Sequence, residues 1–296
     1  MPNDKVNDFA VPELLPPSED GVFKTLLTHP EAKPVLRDVV ESYLRFPVVR
    51  VEVRNVELPI ADINEKREKF DVNCTVNDGS QCDVEMQSEA MTGDSMKTNH
   101  TIIKSRSIYN LCDLHSSQDG RGVRYDRLLR SFQMMFCGYT VFRNNERFVR
   151  RFTFRDEDGV ELSDAVGIIF VELTKLGSVM NKPVETMTGE EIWSLFFAYA
   201  SDPEYRELMN KLIAARSEIK MATELLKSIS KDEIERAHFR SRRMFRMDAD
   251  HDRLVAQDEK AMEIARNLLK MGMPVEQIVA ATGLTSEEVD ALRDIG

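Results

Sequence analysis

Apolar positions at helical spacing open the ordered part of the chain. From Val22 to Phe46 the residues Phe23, Leu26, Leu27, Val35, Leu36, Val39, Val40 and Leu44 recur with a helical period, and Pro30 separates a short helix from a longer one. Val48 to Val56 alternates instead, setting Val49, Val51 and Val53 against Arg50, Glu52 and Arg54, which predicts a strand. Phe70 to Val76 and Cys82 to Gln87 alternate as well, and Asn77-Asp78-Gly79-Ser80 between them is a turn signal, so the pair reads as a β-hairpin. Helical spacing resumes at Met96, runs through Ile102, Ile103, Ile108, Tyr109 and Leu111, and ends near His115. A glycine-bearing loop, Ser116 to Gly122, leads to three short apolar strands: Phe132 to Cys137, Phe148 to Phe154 and Ala165 to Leu173. Strands alternating with helices in this way predict an α/β fold, a mixed sheet flanked by helices.

After Lys182 the pattern is helical throughout. Ile192 to Ala200 and Glu204 to Ser228 are followed by a charged run from Lys231 to Met271 with no proline or glycine. Gly272 and Pro274 end that run, and helices at Val275 to Thr282 and Ser286 to Asp294 flank Gly283-Leu284-Thr285, with Thr285 and Glu288 forming a capping box. Pro2, Pro12, Pro16 and Pro17 mark a loose beginning. The expected organisation is an N-terminal arm over 1–19, an α/β domain over 20–180, a helical extension over 181–257 and a helix-turn-helix-like tail over 258–296.

The hairpin carries the candidate chemistry. Strand side chains alternate between faces, so Asp71, Asn73 and Thr75 share one face while Val72, Cys74 and Val76 share the other; Asp83, Glu85 and Gln87 likewise oppose Cys82, Val84 and Met86. If both apolar rows enter one core, odd residues pair with odd residues, which needs an odd-length loop such as three residues with Gly79 near its end. Asp71 then lies opposite Glu85 or Gln87. Directly opposed side chains have Cβ atoms about 4.5–5.5 Å apart, near enough for two carboxylates to share a divalent cation and too near for comfort without one. Gln87 is a neutral group that can hold a water, Asp83 adds a third acid, and oxygen ligands select Mg²⁺ or Mn²⁺ over zinc. The other reading of the same alternation is a solvated polar face on a half-buried hairpin.

Composition narrows the classes. The 296 residues are 42% hydrophobic, enough for a core and against general disorder. Fifty-one acidic residues against 40 basic give a net charge of −11, which excludes a protein that coats nucleic acid, so any DNA contact is local. No run approaches a membrane span and the N-terminus lacks a signal-peptide pattern, so a cytoplasmic chain with no membrane partner is expected. Cys74, Cys82, Cys112 and Cys137 form no CxxC pair, and the five histidines show no ligand spacing, which argues against a disulfide framework and a histidine or zinc site. Arg143, Arg147, Arg150, Arg151 and Arg155 crowd one strand and Arg236, Arg240, Arg242, Arg243 and Arg246 a helix; each group either tracks a DNA backbone or forms a solvated face balanced by neighbouring acids. In the tail, the second short helix carries Glu287, Glu288, Asp290 and Asp294 against Arg293, which favours packing or partner binding over reading DNA.

Asp71, then Val84-Glu85-Met86-Gln87, resembles the D…(I/V)-E-x-Q signature of the PD-(D/E)XK nuclease family transposases, also called recombination-promoting nucleases. Asp20-Gly21-Val22-Phe23-Lys24 resembles the family's D-x-x-F-K, Arg106 with Tyr109 its R-x-x-Y, Gly122 with Tyr125 its G-x-x-Y, and Phe170 to Lys175 its strand ending in E-L-x-K. Ala265 to Gly272, followed by Thr282 to Thr285, resembles its C-terminus, so the likeness runs from about 20 to 294 in order.

The resemblance implies a restriction-endonuclease-like core and a metal-dependent DNA endonuclease, with a role in recombination or mobile-element transposition. Asp71 and Glu85 would be its metal ligands, with Gln87 in the place that is lysine across the wider superfamily. Glutamine can orient a water but brings no charge; Lys104 or Arg106 on the next helix would supply it, contacting substrate. Arg106 either touches phosphate or pairs with an acid. Asp20 either reaches the metal or caps the helix at Val22. Tyr109 and Tyr125 read as core or rim aromatics, and Cys74 and Cys82 as reduced core residues. The partners implied are DNA and, for cutting both strands, a second copy of the chain. A different class stays open: a catalytically weak relative keeping the fold as a DNA-binding or protein-interaction module, favoured by the acidic surface and the missing lysine.

Overall fold

A computed structural model describes residues 14–54, 71–77, 79–88, 96–118, 124–232 and 257–293. The chain divides into two compact units, Met1–Arg236 and Ala237–Gly296. The arginine-rich segment 236–246 and the glycine of the G-x-x-Y turn lie outside the described residues.

The first unit begins with α1 (Asp20–Thr28) and α2 (Lys33–Leu44), separated by a single turn at Pro30–Ala32 as the proline requires. Six strands make one sheet: β1 (Val51–Val53), β2 (Asp71–Val76), β3 (Ser80–Gln87), β4 (Ser131–Cys137), β5 (Val149–Arg155) and β6 (Glu161–Glu172). Their order is β1-β2-β3-β4-β6-β5, with β3, β4 and β6 parallel and the other pairs antiparallel. The parallel step from β3 to β4 is made by α3 (Met96–Ser116). The strand expected from Val48 is shorter than its alternation, three residues paired along β2.

Val76 pairs with Ser80, so the hairpin loop is residues 77–79, the odd length that the two apolar rows demand. Asn77 and Gly79 close it with positive φ of 46° and 99°. In this register Asp71 is directly opposite Glu85.

One sheet face carries Val72, Cys74, Val84, Met86, Met134 and Phe136 against α1, α2 and α5 (Gly189–Tyr199). Phe136 is the hub, with ring centroids 5.3 Å from Phe23, 5.0 Å from Tyr43 and 5.3 Å from Phe197. Phe197 and Trp193 come from the stretch expected as a helical extension. That stretch is instead a layer of the same core, because α5 and α7 (Ser217–Lys231) pack on α2 and bury Trp193, Phe196, Phe197, Ile219 and Leu226. The helix expected over Glu204 to Ser228 is two helices, α6 (Arg206–Ala215) and α7, broken at Arg216 in an extended conformation (φ −144°, ψ 122°). No proline or glycine causes the break; the Arg216 guanidinium donates to buried Asp38 Oδ1 at 2.5 Å, and Trp193 Nε1 donates to Oδ2 of the same carboxylate at 2.7 Å. Residues 14–19 of the expected arm are anchored too, Leu15 N–H donating to Ser230 Oγ on α7.

The opposite face is covered by α3, whose Ile103, Ser107 and Leu111 form a buried stripe over Met135, Cys137, Ile168 and Phe170. Ile102, Ile108, Tyr109 and, beyond the helix, Tyr125 are exposed, so neither tyrosine is a core residue. The four cysteines are free, and Cys74 and Cys82 are buried as expected. A short turn helix (Gly177–Met180, α4) completes this unit.

In the second unit, a helix covering 257–270 (α8), α9 (Val275–Thr282) and α10 (Ser286–Arg293) bury Ala265, Ile278, Leu284 and Val289 together. The Thr285–Glu288 capping box is present, with Glu288 accepting from Thr285 N–H at 2.7 Å and Thr285 Oγ1 accepting from Glu288 N–H at 3.3 Å. Among the described residues no helix is long and apolar enough to cross a membrane.

Two expectations test this architecture. Phe197→Ala should cost about 3–5 kcal/mol in urea unfolding, and sheet and helix signals should move together, since α5 and the sheet share one core. The second concerns Glu191, whose carboxylate closes a capping box on Thr188 at the start of α5 and accepts from Lys182 Nζ at 2.6 Å. Burial pushes its pKa up, but Lys182 and the Thr188 N–H and hydroxyl together hold it below the ordinary value. A depressed pKa contributes stability above the unfolded value that is lost as pH falls through the folded one. Glu191→Gln should therefore cost about 1 kcal/mol at pH 7, a gap that thermal unfolding should show closing below about pH 4.

Candidate active site

The site forms where β3 ends. As an interior strand with both faces covered, β3 has its polar row underneath α3: Glu85 has no exposed surface and Asp83 is 4% exposed. On the hairpin's polar face Asp83 and Glu85 are thus buried while Asn73, Thr75 and Gln87 are half-buried, a difference that alternation alone does not carry. A fully buried carboxylate is costly unless it is neutralised or well bonded. Glu85 Oε1 accepts from Gln87 Nε2 at 2.7 Å and pairs with the Arg106 guanidinium, which reaches down from α3 while itself 37% exposed. Gln87 Oε1 lies 3.5 Å from Arg106 NH1, so the three side chains are mutually connected. Helical geometry explains the reach: Arg106 directly precedes Ser107 of the buried stripe and flanks it.

Asp71 enters as the backbone position paired with Glu85. Asp20 arrives from α1 and neither caps the helix nor stands loose: Glu19 is the N-cap residue, without a side-chain bond. The Asp20 carboxylate accepts from the backbone N–H of Ser88 at 3.0 Å and from its hydroxyl, while Ser88 Oγ accepts from Asp20 N–H at 3.1 Å. This reciprocal pair ties the start of α1 to the residue after Gln87.

Lys104 comes from the same helix as Arg106, two residues earlier. Its Nζ lies 4.5 Å from the centroid of the Phe142 ring. Of the other arginines around β5, Arg151 turns to the far face and pairs with buried Glu190, which Arg45 also binds; Arg155 pairs with Glu161.

Two contributors, Gly138 and Tyr139, carried no sequence signal of their own, and two others, Glu172 and Lys175, belong to the E-L-x-K motif. Gly138 follows β4 and donates its N–H to Gln87 O at 2.8 Å; a Cβ there would sit 2.3 Å from Ser88 O, so only glycine allows the two strand ends to press together. That approach brings in Tyr139, half-buried, whose hydroxyl pKa is raised by burial, then by Cys137, Glu85 and Asp20, with Arg106 opposing. Glu172 and Lys175, the E-L-x-K pair, hold the loop that follows. Glu172 is fully buried, accepts from Val141 N at 2.7 Å and Phe142 N at 3.0 Å, and pairs with Lys175 Nζ at 2.9 Å. Burial and the negative charges of Glu172 and Glu85 push the Cys137 thiol well up, so it stays a thiol.

The donor set is carboxylate and amide oxygen, which suits a hard divalent cation. Glu85 already holds one cation, the Arg106 guanidinium. Among the described residues no three His, Cys, Asp or Glu side chains are gathered as a metal cluster.

Comparison with known proteins agrees with the sheet, its hairpin and the helical tail. Residues 17–254 match the PD-(D/E)XK nuclease family transposases, and residues 258–294 match the C-terminal HTH domain of the Rpn/YhgA-like nuclease family. No curated protein and no solved structure matches. With most of its length matched by the first family and its tail by the second, the chain belongs to the PD-(D/E)XK nuclease family transposases and ends in an Rpn/YhgA-like helix-turn-helix domain.

Proposed function

We propose that this chain is a metal-dependent endonuclease that hydrolyses phosphodiester bonds in DNA, acting in the cytoplasm in recombination or mobile-element transposition. The observation that carries the reading is the convergence of Gln87 and Arg106 on the buried carboxylate of Glu85, directly across the ladder from Asp71. Asp71 and Glu85 would hold the cation. Bound Mg²⁺ or Mn²⁺ would polarise a phosphate oxygen and make water a better nucleophile.

The rest is done by the chain's own groups. Gln87 spends its amide N–H on Glu85, and its oxygen, 3.5 Å from Arg106 NH1, would orient a water without adding charge. Arg106, partly exposed, is the cation within reach of both Glu85 and an incoming phosphate and takes the charge role that glutamine cannot fill. Asp20 acts as a positioning residue through Ser88. A symmetric dimer would present one site to each strand of a duplex. In the tail, the acids on α10 favour a partner-binding role over base reading.

One observation favours the second reading, a weak relative serving as a DNA-binding or interaction module: Glu85 is already neutralised by Arg106. Cleavage of supercoiled plasmid decides between them. Nicking should require Mg²⁺ or Mn²⁺, cease with EDTA, and fall more than about 100-fold in Asp71→Ala and Glu85→Ala. Equal inertness of wild type and variants across metals and salt would sink the enzyme reading. Arg106→Gln gives a check independent of turnover. Stranding the Glu85 charge should cost about 3–5 kcal/mol in EDTA, and added Mn²⁺ should raise the Tm of this variant more than that of wild type.

A further inference from the structure

We infer that Lys104 and Arg150, converging on the Phe142 ring, form a clamp for a phosphate of the DNA backbone. Resting on the proposed action on DNA, this inference names a contact away from the carboxylates. Lys104 Nζ is 4.5 Å and Arg150 Cζ 5.0 Å from the centroid of the same ring. Both charges lie within 5.0 Å of one ring centre, so like charges repel across it. Neither meets a carboxylate: no ion pair or hydrogen bond joins Lys104 or Arg150 to an acid among the described residues, and the Arg150 Nε is buried with no acceptor. By contrast, Arg45, Arg106, Arg151, Arg155 and Lys175 all have acids. A pair of cations left without an acid in a chain of net charge −11 is a place kept for an anion from outside.

The support beneath the pair is rigid. Phe142 stacks on Phe152 at 5.5 Å and meets Phe170 edge-on at 5.3 Å, and its backbone N–H is held by buried Glu172. Register gives the location. Glu85 pairs with Met135, Met135 with Phe170, and Phe170 with Arg150, so Arg150 shares the sheet face and register row of Glu85 three strands away. Strand spacing makes that roughly 14 Å, about four base-pair rises of a duplex. The clamp therefore takes a backbone phosphate a few nucleotides from the bond at Glu85. It sets the direction in which the strand crosses the site without reading bases.

The test is DNA binding without cleavage, by fluorescence anisotropy with two duplexes of unrelated sequence in EDTA over a salt series. Lys104→Gln plus Arg150→Gln should lower the slope of log affinity against log salt by about 2 and weaken binding about tenfold or more, equally for both duplexes. Each single variant, which keeps one cation on the ring, should lower the slope by about 1, and Arg150→Lys should retain it. Arg155→Gln, whose partner is Glu161, should change neither. Wild-type binding with unaltered slope and affinity in the single and double variants would overturn the clamp and leave the nuclease reading standing. A wild-type protein that binds neither duplex at any salt would overturn both.

Discussion

A carboxylate with no exposed surface must be compensated from within the fold, and two of the groups that compensate Glu85 have very different origins. Gln87 comes from the same strand two residues on; Arg106 comes from the helix that covers the strand. The placement of α3 is therefore not only a matter of covering Met135 and Phe170. Its stripe of Ile103, Ser107 and Leu111 fixes the rotation at which Arg106 meets Glu85 and Lys104 meets Phe142 on the other side. Apolar packing thereby sets the electrostatics, since the helix cannot turn to relieve one contact without breaking the other.

The second face shows the same economy. Asp38 binds Trp193 and Arg216, and Glu190 binds Arg45 and Arg151, so segments distant in sequence are fastened by single acids at the edge of the aromatic cluster. Buried ionic groups of this kind are weak sources of stability and strong sources of registry. They explain why α5 to α7 belong to the nuclease unit although nothing in their helical periodicity ties them to a sheet.

Much of the fold was legible because it rests on periods. The hairpin's register followed from two apolar rows and an odd loop, and the helix break at Pro30 and the Thr285–Glu288 box followed from local chemistry. What escaped depends on contacts between segments far apart. Alternation in β3 reads as half-exposed because it carries no information about α3 lying over it; only the fold buries Glu85. Ile102, Ile108 and Tyr109 looked like part of a buried helical face and are exposed, since the buried stripe is one residue wide. Arg216 breaks a helix without proline because Asp38 holds it. Gly138 and Tyr139 were silent because a close approach between strand ends has no one-dimensional signature.

The Asp20–Ser88 exchange joins the first helix to the residue that follows the strand bearing Glu85 and Gln87 through two backbone N–H groups and two side chains. Such a joint transmits displacement rather than absorbing it. A displacement of α1 is therefore handed on to the end of β3, where Glu85 and Gln87 sit, so the amino-terminal helix and that strand end move as one piece.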